Sequence, residues 1–112
     1  MRFGPWYPLA EARDLAPSGE GIWQVRLAAG LLDYPRGKSA MVHYGHAPDV
    51  RAAAFAWAAG QRADQLLCRH LIEVDATTEL TGFYAKLSEE FVRRFGTSPR
   101  LAGTGGPDGQ RR

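Results

Sequence analysis

Residues 21–59, GIWQVRLAAGLLDYPRGKSAMVHYGHAPDVRAAAFAWAA, constrain this chain most, because they hold two alternating segments of the kind a half-buried sheet requires. In residues 21–27, Trp23, Val25 and Leu27 fall on one face of a strand, and Ile22, Gln24 and Arg26 fall on the other. The Pro35-Arg36-Gly37-Lys38-Ser39 turn then brings the chain back. Residues 40–44 alternate again, with Ala40, Val42 and Tyr44 opposed to Met41 and His43, which predicts an antiparallel pair. Pro48 and Asp49 open a helix directly afterwards. The missing proline N–H would have no partner in a first turn, and an aspartate suits the positive end of the helix dipole. This helix is expected to run to about Gln61, with Val50, Ala53, Ala54 and Trp57 at core spacing.

The flanking segments complete the plan. Residues 1–20 read as an extended arm in which Gly4, Pro5 and Pro8 prevent a regular helix while Phe3, Trp6, Tyr7 and Leu9 lie over a core. Residues 66–74 (LLCRHLIEV) supply a third strand, and Asp75, Thr77 and Thr78 offer caps for a long helix over residues 78–95. In that helix Leu80, Phe83, Tyr84, Leu87, Phe91 and Phe95 make one apolar stripe. Arg93 and Arg94 complement its negative end, and Gly96 closes it. Residues 103–112 hold nothing to bury and are expected to be a disordered tail. The resulting architecture is a small α/β sandwich with a three-stranded antiparallel sheet flanked by helices.

At 112 residues, 45% of them hydrophobic and 23% charged, the chain has the makings of one globular domain. It contains neither an apolar run of about 18 residues nor the apolar stretch of a signal peptide, so no membrane partner and a cytoplasmic location are expected. Cys68 stands alone, which excludes an internal disulfide and a CxxC metal site. His43, His46 and His70 include no pair at helical i, i+4 spacing, so zinc is not expected. Gly37-Lys38-Ser39 lacks the upstream glycine of a phosphate loop, since Leu32 occupies that place, and it leads into a strand rather than a helix. Of the formal charge of +2, Asp108, Arg111 and Arg112 account for +1, leaving a body too weakly basic to argue for nucleic acid by total charge.

Gly21-Ile22-Trp23, then His43-Tyr44-Gly45, then a short loop into an arginine-bearing helix resembles the GIY-YIG endonuclease domain. Phe95-Gly96-Thr97-Ser98-Pro99-Arg100-Leu101 is similar to that family's closing motif, so the resemblance covers most of the chain and implies a domain over residues 21–102. Such nucleases use a tyrosine in each name motif, an arginine on the next helix, a metal-binding glutamate on a later helix and usually a terminal asparagine. A carboxylate-held metal neutralises the scissile phosphate, a tyrosine assists proton transfer and the arginine stabilises developing charge.

Carried onto this chain, the two tyrosine positions fall on Trp23 and His43, the arginine on Ala53, the glutamate on Tyr84 and the asparagine on Ala102. Indole is a donor only and cannot act as a base, whereas imidazole can. Arg51 sits about 200° around the helix from Ala53, and Glu79 about 140° from Tyr84. The resemblance thus implies a retained scaffold with a replaced catalytic set. The expected function is a non-catalytic binding module without a cofactor. Trp23, His43 and Tyr84 on the former active-site face, with Arg36, Lys38 and Arg51 along one rim, would dock a partner, and a protein is favoured over DNA. The alternative is an active endonuclease that uses Mg²⁺ or Mn²⁺, with His43 as base, Arg51 for charge and Glu79 for metal.

Overall fold

A computed structural model of the chain describes residues 1–101; the expected tail and Ala102 lie outside the described residues. The strands are β1 (Arg2–Phe3), β2 (Tyr7–Pro8), β3 (Gly21–Leu27), β4 (Leu32–Tyr34), β5 (Gly37–Ser39), β6 (Met41–Ala47) and β7 (Leu66–Glu73). The helices are α1 (Ala12–Leu15), α2 (Val50–Ala58) and α3 (Leu80–Phe95), with short 3-10 turns at Leu9–Glu11 and Ala63–Gln65.

The expected three-stranded sheet is corrected to a five-stranded one in the order β1-β7-β3-β6, with β2 also on β7, beside a separate two-stranded sheet of β4 and β5. At its centre β3 pairs antiparallel with both β6 and β7, through Trp23 to Gly45 on one side and Trp23 to His70 on the other. The arm adds the extra strands: Arg2 and Phe3 lie against Glu73 and Leu71, and Tyr7 and Pro8 against Cys68 and Leu67. Between them the Gly4 amide donates to the His70 carbonyl at 2.9 Å. Strands of two residues are too short for alternation to show in a sequence, and Pro5 separates them, so the arm reads as irregular. The long turn likewise folds on itself as a hairpin, Leu32 to Ser39 and Tyr34 to Gly37.

Period-two geometry sorts the sheet into two faces. Trp23 and Val25 share one face with His43, Gly45, Leu66, Cys68 and His70, and it is covered by Leu9 of the first 3-10 turn, Ala12 of α1, Ala16 just after α1, and Val50 and Ala54 of α2. Ile22, Gln24 and Arg26 share the other with Tyr44, His46, Arg69 and Leu71. There α3 docks through Phe91, whose ring centroid lies 5.6 Å from that of Tyr44 and 5.1 Å from that of Tyr34. At the sheet edge, the β6 carbonyls of Met41 and Tyr44 accept hydrogen bonds from the Tyr34 and Tyr84 hydroxyls, which occupies acceptors an edge strand would otherwise offer to another chain.

Local chemistry sets the helix ends. Asp49 caps α2, its carboxylate accepting from the Ala52 amide at 3.0 Å. Asp49→Ala should lower unfolding free energy by about 1 kcal/mol, readable as a reduced urea midpoint at unchanged slope. The helix stops at Ala58 and so is shorter than the sequence suggests. For α3 the cap position is Glu79, without a side-chain bond, so the expected caps at Asp75, Thr77 and Thr78 are not used. Gly82 is accommodated inside α3, and Gly96 ends it in the left-handed region at φ 90°.

Candidate functional site

The two positions that resemble nuclease tyrosines are adjacent in space. Trp23 and His43 lie on neighbouring strands and the same face, with ring centroids 4.8 Å apart. Trp57 of α2 closes over them: its ring stacks on His43 at 4.7 Å and 26°, and meets Trp23 edge-on at 6.1 Å. Trp23 is 2% exposed, and its indole lies flat on the backbone of Gly45, where a Cβ would come within 2.9 Å of Cζ2 and closer still to Nε1 and Cε2. The close fit leaves the Trp23 Nε1 buried with no hydrogen-bond partner among the described residues.

Burial also governs the titration of this face. It pushes His43 down to about 4, because a desolvated imidazolium loses its hydration without gaining a partner. His70 is lowered for the same reason. The Tyr7 hydroxyl lies 2.9 Å from His70 Nδ1, and burial raises its phenol. Cys68 is fully buried and its thiol is pushed up to about 11, so at neutral pH it is a packed thiol with little nucleophilic thiolate.

The other expected site residues are dispersed. Tyr84 is on the opposite side of the sheet, bonded to the Tyr44 carbonyl at 3.2 Å, with its ring 5.8 Å from that of His46. His46 in turn contacts Glu20 at 2.9 Å. Glu79 is exposed at the start of α3. Arg51 donates from Nε to the Ala16 carbonyl at 2.8 Å, so it tethers the segment after α1 rather than facing Trp23. Arg36 donates to the Arg93 carbonyl at 2.8 Å and its amide to Phe95 at 3.1 Å, satisfying the last turn of α3. Lys38 pairs with Asp33 at 2.6 Å across the β4–β5 hairpin. Arg36 and Lys38 therefore belong to the α3 side and Arg51 to the α1–α2 side, and no continuous basic rim joins them.

Trp57 and Gly45 complete the cluster. The signal for Trp57 was its core spacing on α2, and for Gly45 its place across from Trp23 in the paired strands. Neither discloses which rings meet. Among the described residues, no three His, Cys, Asp or Glu side chains come together to hold a metal ion, and no helix is long and apolar enough to cross a membrane. A scan against models of known protein families finds no match, and a search of curated proteins finds none either.

Proposed function

We propose that this chain is a non-catalytic binding module, built on a scaffold that resembles the GIY-YIG endonucleases and docking a protein or a nucleic acid. The observation that carries the reading is the ring cluster of Trp23, His43 and Trp57. Proton transfer needs a competent base within hydrogen-bond reach of its substrate, and the half-buried His43 imidazole, stacked on the Trp57 indole and lowered to about 4 by desolvation, is a weak one. The order of elements supports the scaffold: a strand pair, a helix, a third strand and a long helix follow one another as the resemblance implies. The lack of a three-ligand cluster among the described residues argues mildly against the metal-dependent alternative. With Trp23 sealed and Tyr84 across the sheet, partner contacts fall to exposed groups around the two helical layers, Arg36, Lys38 and Arg51 included.

Purified protein supplied with Mg²⁺ or Mn²⁺ should leave both duplex and single-stranded DNA uncut. Metal-dependent cleavage that disappears in Glu79→Ala would overturn the reading, and its loss in His43→Ala would then assign the base.

A further inference from the structure

On the α3 side of the sheet, two arginines share one aromatic ring. The Arg26 guanidinium carbon lies 4.6 Å from the centroid of Trp6 and that of Arg69 lies 4.5 Å from it, while Arg69 is also 4.5 Å from Phe3. The sheet register makes this arrangement, because Arg26 on β3 and Arg69 on β7 point to the same face and the arm lays Phe3 and Trp6 across them. Arg69 is held in place from Nε by the buried Gln24 Oε1 at 2.7 Å. Arg26 has no such anchor, and its Nε is buried without a partner among the described residues.

Neither guanidinium meets a carboxylate among the described residues; the ion pairs formed there belong to other groups. Two like charges are thus kept as near neighbours in a partly desolvated place. Burial first, and Arg26 to a lesser degree, draw Arg69 below its ordinary value, while Tyr44 acts the other way. The aromatic rings contribute cation–π attraction but carry no negative charge. Both residues are intermediate in exposure rather than fully buried.

We propose that Arg26 and Arg69 form a binding site for a single phosphate group, the dianion of a phosphomonoester or free phosphate. Guanidinium forks match phosphate oxygens in geometry, and a dianion balances both cations at once. A nucleic-acid backbone fits less well, because it needs a track of cations, and Arg36, Lys38 and Arg51 are engaged elsewhere in the fold. The site is on the opposite face from the Trp23 cluster and does not depend on any nuclease ancestry.

The test is calorimetric titration of the full chain with inorganic phosphate and with phenyl phosphate, alongside acetate and a DNA duplex. Arg26→Gln is the principal variant, since the Arg26 side chain makes no hydrogen bond among the described residues whose loss would endanger the fold, and Arg69→Lys is the second. Both phosphates should bind, with phenyl phosphate the tighter if the natural source is an ester and the two equal if it is free phosphate. Arg26→Gln should weaken binding about tenfold or more, as loss of a charge-assisted pair implies. Arg69→Lys should weaken it less, because the charge stays while the fork is lost. Absence of phosphate binding, equal binding by Arg26→Gln, equal affinity for acetate, or duplex DNA binding that outcompetes phosphate would each overturn the proposal.

Discussion

Gly45→Ala should destabilise the protein by about 3 kcal/mol or more, at the upper end of what overpacking costs. The added methyl would enter space occupied by the Trp23 indole, within 2.9 Å of Cζ2 and nearer to Nε1 and Cε2. Relief by a rotamer change is blocked, since the ring is 2% exposed and is bounded by His43 and Trp57. The second variant Trp23→Phe isolates the cause. Phenylalanine lacks the five-membered ring and removes a buried N–H that has no partner among the described residues, so in the Gly45→Ala background it should restore part of the loss. Urea midpoints of the two single variants and the double variant decide this. Full additivity would show that the glycine matters for some reason other than the indole.

The second large effect is a loss of stability in mild acid. Burial holds His43 at about 4, below the ordinary 6.5. Between those values the unfolded chain binds a proton that the folded chain does not, so stability is complete above about pH 6.5 and declines as pH falls toward about 4. The whole shift corresponds to about 3 kcal/mol, of which about 2 kcal/mol is lost by pH 5. His43→Phe retains a ring against Trp57 and should flatten this part of the profile. The slope that remains in the variant belongs to His70, also lowered by burial and therefore of the same sign. Unfolding measured at pH 7.5 and pH 5 would refute the assignment if wild type and variant lost equal stability.

Both effects arise at residues whose positions in the resembling motifs are visible in the sequence, but whose environment is not. That Trp23 and His43 stand where the resembling motifs have tyrosines is a matter of residue identity. That their rings meet beneath a third depends on Trp57, about 14 positions beyond His43 along the chain, folding back from α2 onto the sheet. The same gap explains the basic residues. Arg36, Lys38 and Arg51 look like free cations in sequence, yet two of them serve as donors to carbonyls at helix ends far away along the chain, Arg93 and Ala16. Trp23, His43 and Tyr84 look like one face only if α3 returns to the side that α2 covers, and it docks on the other.

Sequence by itself determined the features governed by local periodicity and backbone chemistry: the alternation that makes β3 and β6 adjacent antiparallel strands, the Pro48-Asp49 start of α2, the apolar stripe of α3 and its glycine stop. Each follows from residues within a few positions of one another, where side-chain spacing and φ restrictions act directly. Only the tertiary structure decided how large the sheet is, which rings stack in the core, and that Arg26 and Arg69 come together over Trp6. Those outcomes are pairings between distant segments. Strands as short as β1 and β2 gain stability from hydrogen bonds and contacts across the sheet, so nothing in their own few residues announces them.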